Sequence, residues 1–153
     1  MGGSIKEVVV NHWIGFRLGG EAYVHSVHSV KEVLPFSEVF PVPGTPTEIL
    51  GVLNIRGEVV TIVSGHQLLG LSDPSARERC FILVLELSTG LWGVLVDAVT
   101  EIMGFDDRAI DVLIDQQQGP QGERIVQGTV YRQGQLNIVA DFAHCCEQLA
   151  EYT

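Results

Sequence analysis

The chain has 153 residues, one domain's worth, enough to bury roughly 68–70% of the surface that its unfolded form exposes. Apolar residues make up 46% and charged residues 18%, which excludes disorder on composition. Nine Lys and Arg stand against nineteen Asp and Glu, a net charge of −10, and this works against attraction to nucleic-acid phosphates or anionic lipid. No apolar run approaches the ~18 residues of a membrane span; Glu86, Asp97 and Glu101 break the best stretches. The N-terminus shows no charged segment followed by an apolar segment and a cleavage site, so secretion is not expected. Cys80, Cys145 and Cys146 form no spaced framework and read as reduced thiols of a cytoplasmic protein.

Seventeen glycines punctuate short runs of Val, Ile and Leu, a pattern of strands and turns. Residues 14–18 alternate, stop at Gly19-Gly20 and resume over 22–27, which predicts a hairpin. Residues 30–34 extend it and Pro35 ends it. Pro41, Pro43, Gly44 and Pro46 make a rigid loop. Strands follow at 50–55 and 58–63 around Arg56-Gly57, then at 80–87, 91–96, 99–103, 125–131 and 135–140, the last two around Gln133-Gly134. Residues 115–122, with four glutamines, read as a polar loop. Ser64-Gly65-His66-Gln67 matches a capping box opening a short helix. Asp141 caps a terminal helix of about 141–150.

Much of this is written twice. Phe16, Tyr23, Val30, Glu32, Val33 and Leu34 recur as Leu85, Trp92, Val99, Glu101, Ile102 and Met103 at a constant offset, 85 − 16 = 69. Gly51, Gly57, Val59 and Ile62 recur as Gly128, Gly134, Leu136 and Val139, with 128 − 51 = 77. A repeated strand pattern with its turn glycines predicts two similar subunits on one core. The expected fold is all-β with short helices, two small barrels packed on each other. Residues 12–150 are one domain, with interwoven halves of about 14–71 and 80–142, and residues 1–11 are a tail.

Reactive chemistry finds little support. Ser64 and His66 sit in a capping context without a third partner. His25 and His28 fall on a strand and point to opposite faces as ordinary polar positions. His144, Cys145 and Cys146 are consecutive on a helix and cannot share one zinc. Asp106, Asp107, Asp111 and Asp115 lack the spacing, glycine and terminal glutamate of a calcium loop, and read as caps on a solvated edge. Asp97 reads as a turn cap or the partner of an arginine. No phosphate loop, HExxH or CxxC pair is present. No enzymatic activity, metal or cofactor is expected.

Arg56 is more informative. It stands at a hairpin tip between Asn54 and Glu58, with Gly57 freeing the backbone. It is either a recognition contact, an ordinary solvated turn arginine or half of an internal ion pair. Glu32 and Glu101 are either outward positions of alternating strands or acidic contacts beside an apolar strip of Val30, Val33, Val99 and Ile102, the build of a protein interface.

The blocks FRLGGEAY, VKEVL, GVLNIRGEVVTIV with LLGL, GVLVDAVTEI and a hairpin ending in Ala140-Asp141-Phe142 resemble the CheW-like coupling proteins of bacterial chemotaxis, over about residues 12–150. The resemblance implies two five-stranded SH3-like barrels around a shared core and no enzymatic activity. It implies a cytoplasmic adaptor, recruited to receptor arrays at the membrane without inserting into it and without binding nucleic acid. Its partners would be the helical hairpin at a chemoreceptor's cytoplasmic tip and the regulatory domain of the chemotaxis histidine kinase. The family's contacts fall on positions matching Val30, Glu32, Gly51, Arg56, Val99 and Ile102, with Gly57 in the same turn. Phe81 and Gly93 match positions that affect coupling. Two departures stand out: Ser64-Gly65-His66 replaces the usual Asp-Leu-Arg, and His and Ser occupy residues 24–27. These admit a related pathway, such as one controlling pilus motility. A different class, the small-ligand-binding double barrel, rests on the capacity of barrel interiors to hold ligands.

Overall fold

The structure, a computed structural model, describes residues 9–72, 74, 76–113 and 125–152, the side chain of Tyr152 excepted. The expected polar loop 115–122, Asp115 and most of the tail 1–11 lie outside the described residues. The strands are β1 (Val10–Leu18), β2 (Glu21–Ser26), β3 (Val30–Pro35), β4 (Ile49–Ile55), β5 (Glu58–Ser64), β6 (Phe81–Leu87), β7 (Gly90–Val96), β8 (Ala98–Asp106), β9 (Asp111–Val112), β10 (Val126–Arg132) and β11 (Gln135–Ala140). Two short helices, α1 (Gly65–Leu68) and α2 (Ala143–Leu149), follow β5 and β11. Among the described residues no helix is long and apolar enough to cross a membrane.

The strands form two sheets, ordered β8-β1-β2-β11-β10-β9 and β3-β6-β7-β5-β4. Offsets of 69 and 77 carry β3, β6, β7, β5 and β4 onto β8, β1, β2, β11 and β10 with the same neighbours. In the second sheet Val30 pairs with Leu85 and Val33 with Leu83. In the first, Phe16 pairs with Val99 and Ile14 with Ile102. Each sheet takes its β1–β2 or β6–β7 hairpin from one half of the chain and the rest from the other. The joints are parallel, β2 on β11 and β5 on β7. The halves therefore exchange hairpins, and each barrel is a composite.

The first sheet has six strands where five were expected. The extra one, β9, lies against Gly128, where a Cβ would fall 2.4 Å from the Asp111 carbonyl oxygen. Gly51 does the same for the other barrel. Its φ is 148°, a Cβ there would come within 2.1 Å of the Phe40 oxygen, and Phe40 bridges to Val52. The first strand also begins at Val10 rather than residue 14, because residues 10–13 pair with the far end of β8.

One large apolar cluster joins the barrels. It takes Phe16, Leu18 and Tyr23 from one sheet, Leu83, Trp92 and Val94 from the other, and Phe142, Cys146 and Leu149 from the C-terminal segment. Each barrel adds a smaller cluster of its own, so the core is shared but not single. Ser64 Oγ accepts from the Gln67 amide at 3.1 Å, so the expected cap of α1 forms; Asp141 Oδ1 accepts from the Ala143 amide at 2.9 Å, but Phe142 takes the N-cap position of α2, without a side-chain bond. All three cysteines are free and buried.

His25 departs from its reading as an ordinary polar strand position. It is only 1% exposed and stacks on Phe142. The Phe142 amide donates to its Nε2 at 3.1 Å, while Nδ1 lies 3.0 Å from the Ser26 oxygen. That geometry requires the neutral ring protonated on Nδ1. Burial accordingly lowers its pKa below the usual 6.5. A depressed histidine pKa means that the unfolded chain takes up the proton first. This contribution to stability is complete above about pH 6.5 and is lost as pH falls toward the folded value, at up to ~1.4 kcal/mol per pH unit. Thermal melts from pH 7.5 to 5 are expected to show this loss, and His25→Gln is expected to flatten it. An equal slope in the variant would assign the effect to other groups.

Candidate docking face

The segment NIRGE folds as a tight hairpin. Arg56 has φ 50° and Gly57 φ 86°, both left-handed, the geometry that suits the twist of paired strands. Asn54 Oδ1 accepts from the Gly57 amide at 2.9 Å and fixes the turn. The Arg56 side chain then reaches back over the sheet. Its Nη2 donates to Glu32 Oε2 on β3, and Lys31 Nζ meets Glu58 Oε1 at 3.2 Å alongside. The Arg56 side chain remains 63% exposed while Glu32 is only 25% exposed. Arg56 is thus internally paired and still exposed.

β3 and β8 end their respective sheets. Val30 and Val33 from β3 and Val99 from β8 pack half-buried on the shared central cluster, and Ile102 projects with 65% exposure. Beside it Glu101 is exposed and has no ion-pair partner among the described residues. The position equivalent to Arg56 is Gln133, also left-handed at φ 52°. The two halves therefore share backbone but not charge.

Residues singled out from sequence separate into two groups. Val30, Glu32, Arg56, Gly57, Val99 and Ile102 reach the surface, and Phe81 is 36% exposed. Gly51 and Gly93 do not. Gly51 is sealed beneath Phe40, and a Cβ on Gly93 would lie 2.6 Å from both Ile62 Cδ1 and Ile82 Cγ2. Any influence of these two glycines on a partner passes through packing.

His66 and Asp97 form a pairing that sequence reasoning missed. His66 Nε2 lies 3.0 Å from Asp97 Oδ1, the histidine being 4% exposed. Asp97 Oδ2 accepts from the Gly19 amide at 2.8 Å. Asp97 pairs with a histidine rather than an arginine, and the basic position of Asp-Leu-Arg is filled by an inward side chain. Gly65 is forced, because a Cβ there would be 2.6 Å from the Leu95 oxygen. The available signal was an aspartate isolated in the apolar run LVDAV. Asp106, Asp107 and Asp111 do not converge. The Arg108 guanidinium and amide bind Asp106 and hold its carboxyl down at about 2. Among the described residues no three His, Cys, Asp or Glu are placed to hold a metal ion.

A CheW-like domain profile matches residues 12–149. The chemotaxis protein CheW of Rhizobium meliloti is 34% identical over 97 residues, 63% of each chain. The protein PilI of Pseudomonas aeruginosa is 31% identical over 113 residues, 72% of this chain and 62% of that one. This chain thus spans a little under two thirds of the length of these curated relatives. The crystal structure of the scaffolding protein TtCheW from Thermoanaerobacter tengcongensis superposes with a TM-score of 0.76 at 22% identity, over 87% of this chain and 90% of that one. The likeness establishes the fold as two SH3-like β subdomains with few helices. With a profile match across nearly all of its length, the chain belongs to the CheW-like domain family.

Proposed function

We propose that the chain is a non-enzymatic cytoplasmic adaptor that joins chemoreceptor signalling tips to the regulatory domain of a chemotaxis histidine kinase. The observation that carries this reading is the placement of Val30, Val33, Val99 and Ile102 on two sheet-terminating strands over one shared core. Two such strips accept the apolar stripe of a helical hairpin. The displayed Glu32–Arg56 pair, on the barrel that carries β3, is the contact for the kinase domain. Each interaction need only be about micromolar, ~8 kcal/mol, because arrayed partners supply effective concentration. Recruitment to membrane-associated arrays follows from receptor binding and needs no insertion.

The test is a binding measurement on the purified full chain, with a receptor cytoplasmic fragment and the kinase regulatory domain as separate analytes. Ile102→Asp is expected to weaken receptor binding at least ~30-fold, ~2 kcal/mol, with an unchanged melt because the side chain is 65% exposed. Unaltered receptor affinity in this folded variant would refute the site. The similarity to PilI favours a second setting for the same adaptor, a chemotaxis-like pathway governing pilus motility. Co-purification from the native cell separates the two by the receptor and kinase recovered.

A further inference from the structure

The two barrels share a plan but are filled differently. The barrel of β3 to β7 encloses Leu53, Val60, Ile62, Cys80, Ile82, Val84 and Leu95. Its sister encloses four residues, Val24, Phe105, Val130 and Val139. At offsets of 69 and 77 Leu95 becomes Ser26 and Leu50 becomes Gln127, which removes apolar bulk, while Ile82 becomes Trp13, which adds it elsewhere. Protein interiors are packed as densely as organic crystals, so the loss at Ser26 and Gln127 leaves space there unless neighbours close it.

A void is what remains. A cavity of about 530 Å³ opens between β1, β2, β11 and the start of α2, with Ser26 and Gln127 in its lining. Its size falls within the roughly 300–1,000 Å³ of small-molecule sites. The apolar wall is Trp13, Ile110, Val139 and Ala140, and Trp13 is braced by stacking on Phe105 at 5.2 Å. Among the described residues the fixed charges in the lining are the carboxylates of Asp107 and Asp141, with no Lys or Arg beside them. Each aspartate uses Oδ1 locally, accepting from Asn11 Nδ2 and from the Ala143 amide. No bond to Oδ2 of either residue is made among the described residues.

We propose that this cavity binds a small organic cation, an ammonium group on an aromatic or branched apolar body. The body lies against Trp13 and Val139, where an indole face also attracts a cation, and the ammonium meets Asp107 and Asp141 at the mouth. Such a site goes beyond the docking role and uses none of its surface residues. It would give an adaptor a chemical input of its own.

Amide and indole shifts of the isotopically labelled full chain, titrated with phenethylammonium, 2-phenylethanol and phenylacetate, test the proposal. The ammonium is expected to bind saturably with a dissociation constant below about 1 mM, shifting the Trp13 indole, His25, Val139 and Ala140. The alcohol is expected to bind about tenfold more weakly and phenylacetate not at all. Asp107→Asn, which keeps an acceptor for Asn11, is expected to weaken the ammonium several-fold in a chain with an otherwise unchanged spectrum. Asp141→Asn serves as a second variant. Absence of saturable shifts at these residues would overturn the proposal. So would equal affinity for the alcohol, or unchanged affinity in both folded variants.

Discussion

Replacing Arg56 by glutamate is expected to abolish kinase-domain capture while leaving the fold intact. The guanidinium is 63% exposed, so its ion pair contributes little to stability, in the range of ~0–1 kcal/mol. A glutamate there faces Glu32 and Glu58, and exposed like charges at a hairpin tip cost about the same. The melting temperature should thus fall by no more than ~4–8 °C. Binding is another matter, because the partner meets a reversed charge in place of a forked donor. A loss of at least ~100-fold, ~2.7 kcal/mol, is expected. Arg56→Gln is the calibrated comparison, since Gln133 already adopts the same left-handed turn at φ 52°. It should fold normally and bind about tenfold more weakly. Native-like affinity of the glutamate variant, with a native-like melt, would remove Arg56 from the interface.

Gly93→Val should do the reverse. Gly93 lies on β7 between Ile62 and Ile82, both fully buried, and a Cβ would meet both at 2.6 Å. Neither neighbour has free volume to retreat into, and overpacking of this kind costs about 1–3 kcal/mol or more. A fall of roughly 5–10 °C in melting temperature is expected. Affinity measured well below the transition should stay within about threefold of the parent chain. A variant of undiminished stability that fails to bind would mean that Gly93 touches the partner, contrary to its buried position.

These opposite outcomes reflect what a sequence discloses. The strand order along the chain, the NIRG turn and the Ser64 cap were legible, because each is set by neighbours within a few residues, and the repeat because such local patterns recur at constant offsets. That the halves interweave was expected, but which hairpin joins which sheet was not legible. Alternation shows that residues 14–26 form a hairpin but not that it closes with β11, since nothing local marks the parallel pairing of Tyr23 and Val24 with Ile138 and Val139. His25 looked like an ordinary polar strand position for the same reason, its partner amide being 117 residues away. His66 and Asp97 each had a bland local reading, and only the fold brings them to 3.0 Å. That Gly51 and Gly93 are buried against close neighbours was not legible, because a glycine pattern cannot tell close backbone approach from an exposed turn.

The asymmetry between the halves also belongs with function. Where the first half pairs Glu32 with Arg56, the second leaves Glu101 opposite Gln133. Duplication supplied two equivalent frames, and the side chains placed on them differ in charge and bulk. An adaptor with two different partners needs that difference, for identical faces would compete for the same one.

On the proposed function, a single copy of this chain holds two partners at once on separate surfaces. Sedimentation velocity of the chain mixed with a receptor cytoplasmic fragment and the kinase regulatory domain tests it directly. A ternary species is predicted, reduced to the receptor-bound pair by Arg56→Glu and to the kinase-bound pair by Ile102→Asp. Mutually exclusive binding, in which each partner displaces the other from the chain, would contradict it.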